Sequence, residues 1–166
     1  MGIVGYGTLG RGVANAAGAF GMHVMICQRP GGSPLSGRIP LLELLPQVDV
    51  LSLHCPLTEL TSGLIGPEEI ALMRTNAILI NTARGGIVDE HALVDALRAG
   101  KLGGAGVDVL TEEPPAHGNP LLQAGIPNLI VTPHIAWASQ ESRQRVVNIV
   151  GENIGAFLSD APQNTV

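Results

Sequence analysis

The sequence predicts an α/β fold built on one doubly wound parallel sheet. Three observations carry that reading. Six short apolar segments recur along the chain, separated by helical patterns or loops. Hydrophobic residues make up 45% of the chain but aromatic residues only 2%, so the core must be aliphatic. Isoleucine, leucine and valine in short runs suit strands covered on both faces. Finally, Gly5, Gly7 and Gly10 in GYGTLG stand where a first strand would turn into a first helix.

Residues 1–4 read as the first strand, running into that glycine turn. Residues 10–20 are small and amphipathic, which predicts a helix packed close to the sheet. HVMIC (23–27) is the second strand. RPGGSPLSG (29–37) is a loop by its Pro, Gly and Ser content. Residues 40–45 form a short helix at most. DVLSLH (49–54) is the third strand. Residues 66–73 open with Gly66, Pro67, Glu68 and Glu69, the chemistry of a helix first turn. AILIN (77–81) is the fourth strand. Over 89–99, Leu93, Val94 and Leu97 share a helical face, Asp89 is placed to cap the start, and Gly100 follows the end. Residues 104–109 and 129–132 are the fifth and sixth strands, with a proline-rich loop (111–127) between them. A long helix covers about 139–158. There is no internal repeat, low-complexity tract or interdomain linker.

The 166 residues suffice for one domain with a real core. The net charge is −5, and the nine basic residues form no run. That excludes the electrostatic footprint of a nucleic-acid or anionic-membrane binder. Cys27 and Cys55 each lie in an apolar segment, which reads as buried free thiols in a reducing compartment. No apolar run approaches the ~20 residues of a membrane span. No basic stretch follows Met1, so no signal peptide is expected and the cytoplasm is the default. Neither C-x-x-C nor H-E-x-x-H occurs, so no metal site is expected.

In a doubly wound sheet, ligands bind beyond the carboxyl ends of the strands. Polar residues gather at those ends here: Thr8, Gln28 and Arg29, 55–58, Thr82 and Arg84, 108–113, and His134. G-x-G-x-x-G between a strand and a helix is a dinucleotide fingerprint, and it makes the fold Rossmann-type. Gly5 permits the tight turn, Gly7 lets a pyrophosphate approach the backbone, and Gly10 lets the helix pack on the sheet. An acid that would hold the adenosine ribose of NAD is expected at the end of the second strand. Gln28 stands there, followed by Arg29. An amide beside a guanidinium does not repel a 2′-phosphate, so NADP is slightly favoured over NAD. Arg29 also reads as an ordinary solvated loop residue. The fingerprint serves S-adenosylmethionine enzymes as well, so the rest of the chain must decide.

Arg84 follows an apolar strand in LINTARGGIVDE and precedes two glycines. A guanidinium can hold a carboxylate by two parallel hydrogen bonds, and glycines leave room for a substrate. A structural ion pair is the plain alternative. Glu113 stands just before Pro114-Pro115, and His134 follows a strand and a proline in TPHIAWAS. A histidine at a strand end can move protons near neutral pH. His54 fits that role less well, and His23, His91 and His117 read as surface residues. An arginine, an acid and a histidine at a nicotinamide crevice suit hydride transfer to a 2-keto acid. Arg84 would bind the carboxylate, His134 would exchange the proton of the oxygen, and Glu113 would hold the histidine tautomer.

GYGTLG, HCPLT, NTARGGIVDE, DVLTEEP and TPHIAWAS resemble, in order, the motifs of the D-isomer-specific 2-hydroxyacid dehydrogenase family. The resemblance implies Arg84, Glu113 and His134 as the catalytic set. It implies cofactor contacts from Thr8, Leu9, Cys55, Pro56, Thr61, Thr82, Ala83, Asp108, Ala136 and Trp137. Trp137 and GNPLL (118–122) most resemble glycerate dehydrogenase/hydroxypyruvate reductase members. Such enzymes have two domains, with the cofactor domain inserted in the substrate domain. The chain is then expected to be a C-terminal fragment: 1–145 the dinucleotide-binding domain, 146–166 a helix and tail returning to a missing substrate domain. Little turnover is expected from it alone, an apolar stripe should be exposed on the last helix, and the full-length enzyme should be a homodimer. A cofactor-sensing, corepressor-like module on the same fold is the main alternative. A formate dehydrogenase needs no glutamate-supported histidine, and a methyltransferase would leave the Arg–Glu–His set unexplained.

Overall fold

The computed structural model describes residues 1–165. Seven strands, β1 (Gly2–Val4), β2 (Met25–Cys27), β3 (Arg38–Ile39), β4 (Val50–Leu53), β5 (Ile78–Asn81), β6 (Gly104–Val107) and β7 (Leu129–Val131), form one sheet. Their order is β3-β2-β1-β4-β5-β6-β7, and all pairs are parallel. The chain starts in the middle, winds out to β3, then crosses back to β4 and winds the other way. The reversal lies between β1 and β4, where such sheets open a crevice.

The aliphatic runs form the buried layer. Ile3, Leu51, Leu53 and Leu79 are fully buried in the central strands, and Ile87 and Leu93 close over them. Helix α1 (Thr8–Ala19) turns Gly10, Ala14 and Ala17 to the sheet. All three have small side chains or none, so the backbone of the helix lies close to β1. Helices α2 (Leu41–Leu44) and α3 (Pro67–Leu72) are short. Helix α4 (Glu90–Arg98) buries Leu93, Val94, Ala96 and Leu97. Asp89 caps it, accepting the Ala92 N–H at 3.0 Å as its spacing predicted.

Two details depart from the sequence reading. A seventh strand, β3, pairs Arg38 with Ile26 and Ile39 with Cys27. It has two residues between Gly37 and Pro40, too few to set up an alternation. Helix α1 begins at Thr8 rather than at residue 10, because Gly7 is its N-cap.

The chain divides into two units, Met1–Pro133 and a second beginning at His134. The first holds the whole sheet. The second is built on α5 (Gln140–Leu158), whose N-cap Ser139 accepts the Ser142 N–H. No residue of α5 is buried, and Ile154, Phe157 and Leu158 are exposed, as is Trp137 ahead of it. Among the described residues no helix is long and apolar enough to cross a membrane.

Candidate functional site

The glycine turn packs against the loop after β4. Gly5 has φ +91, and a Cβ there would lie 2.5 Å from the carbonyl carbon of His54. A Cβ on Gly10 would stand 2.0 Å from the Gly5 carbonyl oxygen. Gly7 instead faces open space, with nothing within 4 Å of a built Cβ. Two glycines therefore serve close packing, and the third leaves an approach to the backbone. Helix α1 has no side-chain cap and no acid in its first turn. Its first N–H groups are left for an anion. That cradle suits a dinucleotide pyrophosphate.

Beside the turn lies a cavity of about 700 Å³, lined by Gly5, Tyr6, Gly7, Arg29, Arg38 and Cys55 among others. Gln28 does not line it. Its carboxamide donates to Ser33 O at 2.6 Å and accepts the Leu35 N–H at 3.2 Å, so it staples the loop after β2. Thr61 lines the cavity but is buried, donating to Pro56 O at 2.6 Å and accepting the Thr58 N–H at 2.8 Å. It fixes the shape of the HCPLT loop. The two thiols are buried and unpaired with each other. Burial pushes Cys27 up to about 11 and raises Cys55 as well, so both are poor nucleophiles.

A smaller cavity of about 240 Å³ adjoins, lined by Leu9, His54, Cys55, Pro56, Thr82, Ala83 and Arg84. Here the structure gathers predicted residues from the start of α1 and from the loops after β4 and β5. Asn81, buried at the end of β5, accepts the Ala83 N–H at 3.1 Å and donates to Arg84 O at 3.0 Å. The loop carrying Arg84 is thus tied to the strand. The Arg84 guanidinium is exposed and donates to Ala83 O. His54 shares a hydrogen bond of 2.9 Å with Ser52, and burial lowers its pKa below the ordinary value.

The loop with Glu113 touches the loop with Arg84. A Cβ on Gly85 would lie 1.9 Å from Leu110 O, so only glycine permits this approach. Glu90, at the start of α4, accepts the Thr111 N–H and Asn119 Nδ2, both at 2.8 Å. Glu113 itself accepts the Leu110 N–H at 2.7 Å. Asp108 is buried and accepts the Thr132 hydroxyl. In the second unit His134 has φ +53, a left-handed backbone uncommon outside glycine, and its carbonyl accepts Trp137 Nε1 at 3.0 Å. Ala136 and Trp137 are exposed there.

Tyr6, Arg38, Asn81 and Glu90 were not singled out by the sequence. Arg38 lies just past the loop read over 29–37, at a position given no element. Asn81 and Glu90 flank Arg84 within the NTARGGIVDE motif, and that proximity is the signal that could have found them. Among the described residues no three His, Cys, Asp or Glu groups gather as metal ligands.

Comparison with known proteins agrees with this fold. The family model for the NAD binding domain of D-isomer specific 2-hydroxyacid dehydrogenases matches residues 1–136. A glycerate dehydrogenase of Methylorubrum extorquens is 49% identical over 166 residues, covering 100% of this chain and 52% of that protein. The chain thus spans about half the length of the curated relatives it matches. An acyclic imino acid reductase solved with NADPH and D-Arg superposes at TM-score 0.88 with 34% identity, over 99% of this chain and 52% of that one. The NAD complex of a D-isomer specific 2-hydroxyacid dehydrogenase from Lactobacillus delbrueckii ssp. bulgaricus gives TM-score 0.86 at 30% identity, over 99% and 55%.

Proposed function

The chain belongs to the D-isomer specific 2-hydroxyacid dehydrogenase family, through that family's NAD-binding domain, and on this premise we propose that it serves an NAD(P)-dependent oxidoreductase interconverting a D-2-hydroxy acid and a 2-keto acid. The substrate class is of the glycerate/hydroxypyruvate or glyoxylate type. The observation that carries the reading is Arg84: a guanidinium on a loop fixed by buried Asn81, at the mouth of a cavity that adjoins the glycine cradle.

Gly5, Gly7, Thr8, Leu9 and Gly10 hold the pyrophosphate end of the dinucleotide. Cys55, Pro56, Thr82, Ala83 and Asp108 would hold its nicotinamide end, and Ala136 and Trp137 would contact the cofactor as well. When bound, the nicotinamide would supply and accept the hydride. Arg84 grips the substrate carboxylate by two parallel hydrogen bonds and polarises the carbonyl oxygen. His134 gives that oxygen its proton in reduction and takes it back in oxidation. Glu113 keeps the imidazole in the donating tautomer. The left-handed backbone of His134 supports a functional role, since such conformations outside glycine concentrate at sites.

Residues 1–145 act as the dinucleotide-binding domain, and 146–166 return to a substrate domain; the whole enzyme is a cytoplasmic homodimer. NADP is slightly favoured, since Gln28 offers no carboxylate to a ribose. The enzyme names of the matched relatives favour this reading over a corepressor-like sensing module. The test is titration with NADH and, separately, NADPH, following nicotinamide fluorescence. Saturable binding is expected, and binding of neither overturns the reading. Reduction of glyoxylate or hydroxypyruvate, where the unaltered protein turns over, should fall by about a hundredfold or more in Arg84→Gln.

A further inference from the structure

We infer that Arg38, held over the Tyr6 ring, is the residue that selects NADP, by binding the 2′-phosphate of the adenosine ribose. The inference rests on the dinucleotide reading above and deepens it.

Four observations lead there. First, the residue expected to choose between the cofactors is otherwise engaged. The carboxamide of Gln28 is spent on Ser33 O and the Leu35 N–H, inside its own loop. Second, Arg38 reaches the same corner from the neighbouring strand β3. Its guanidinium carbon lies 4.7 Å from the Tyr6 ring centroid, and Nη1 donates to Cys27 O at 3.3 Å. Tyr6 is the second residue of the GYGTLG turn, so the ring that orients Arg38 belongs to the pyrophosphate cradle itself. Third, among the described residues no carboxylate forms an ion pair with Arg38. Fourth, the local charge runs against the chain's own balance. The net charge is −5, yet three of the nine basic residues meet here. Arg29 and Arg38 line the larger cavity against a single acid, Glu59, and Arg11 flanks the Tyr6 ring at 5.5 Å.

A guanidinium has five N–H donors in one plane. The Tyr6 ring lies under its central carbon at 4.7 Å, and Cys27 O takes one donor. The remaining donors are left for a phosphate monoester, which guanidinium geometry matches by paired hydrogen bonds. Because the side chain is held at two points before binding, little of its freedom is lost when the phosphate arrives. Arg29, exposed on the loop stapled by Gln28, adds charge from the other side. An adenosine ribose bearing two hydroxyls presents no charge to this corner, so NADH gains far less from it.

The test compares NADPH with NADH on the unaltered protein and on Arg38→Gln, Arg38→Lys and Tyr6→Leu. The bound ratio is the readout, because a loss of fold lowers both affinities together. Arg38→Gln should weaken NADPH by about tenfold or more while NADH stays within about twofold. Arg38→Lys should recover part of the loss, and Tyr6→Leu should weaken NADPH selectively by a smaller factor. Equal losses for both nucleotides, or an unchanged ratio, overturn the inference. Adenosine 2′,5′-bisphosphate against 5′-AMP, followed by calorimetry, separates this inference from the reading it rests on. Selective, Arg38-dependent binding of the bisphosphate upholds the phosphate site even where neither dinucleotide binds and the oxidoreductase reading fails. Equal binding of the two fragments overturns the phosphate site even where NADH binds well.

Discussion

Gly10 and Gly155 both lie inside α-helices, and they do opposite things there. A Cβ on Gly10, in α1, would stand 2.0 Å from the Gly5 carbonyl oxygen and 3.3 Å from the Ile3 side chain. A Cβ on Gly155, in α5, would meet nothing within 4 Å. The first glycine is required by packing; the second only costs helix propensity. The same contrast runs through the two regions around them. Helix α1 packs through Gly10, Ala14 and Ala17 and starts from the turn that would cradle an anion. Helix α5 buries none of its residues and leaves Ile154, Phe157 and Leu158 exposed. Its helicity rests on its caps and propensity, as an isolated helix's would. In this chain one region is over-determined by neighbours, and the other is specified almost wholly by local sequence.

The largest effect should come from Gly10→Ala. The clash is with backbone, which cannot swing aside, so α1 must lift from β1. Stability should fall by about 3 kcal/mol, at the upper end of overpacking costs, and binding of either nicotinamide dinucleotide should be lost. Urea unfolding and the fluorescence titration measure the two. A Gly10→Ala protein that binds NADPH normally would erase the contrast, because the close approach would then have no function.

Gly155→Ala should do the reverse. Replacing an exposed helical glycine by alanine stabilises by roughly 0.8–1 kcal/mol, confined to α5. Amide exchange across Gln140–Leu158 should slow about fourfold, with little change in the strands. Slower exchange throughout the sheet would mean that α5 is coupled to the core, and the two regions would no longer be separable.

How legible each region was follows from the same distinction. Signals that lie within a few residues of one another survive in sequence. Asp89 as a cap, the glycine turn, and the aliphatic strands of a parallel sheet all belong to that class, and the sheet formed as expected. Strand β3 did not show, since two residues carry no period and their pairing with β2 is decided twelve positions away. Tyr6 and Arg38 are 32 apart in the chain, and nothing local marks either for the other. Gln28 was legible as the missing acid, but its engagement with Ser33 and Leu35 needed the folded loop. Glu90 and Asn119, which fasten the loop of Glu113, are joined across 29 positions. The residues that touch a ligand announce themselves by type; those that aim them do so only in three dimensions.

The smallest effect concerns pH, and it sharpens the contrast because the two regions should respond in different windows. Burial lowers the His54 imidazole below its ordinary value of 6.5. Between the lowered folded value and 6.5 the unfolded chain binds more protons than the folded one. Stability therefore falls as pH drops below about 6.5, and the loss is complete once the folded value is passed. His54 belongs to the loop whose backbone would stand 2.5 Å from a Cβ added at Gly5, so this loss belongs to the packed region. In α5 the shifted group is Glu141, lowered below 4.5 by hydrogen bonds from its own backbone N–H and from Ser139. Its contribution is present above 4.5 and disappears only as pH falls through the lower folded value. The midpoint of thermal unfolding, measured from about pH 7.5 to about pH 5.5, should decline less steeply in His54→Gln than in the parent, since glutamine can keep the Ser52 hydrogen bond without titrating. Equal slopes would show that His54 carries no acid sensitivity. Glu141→Gln should leave that interval unchanged, because its carboxylate is ionised throughout in both states.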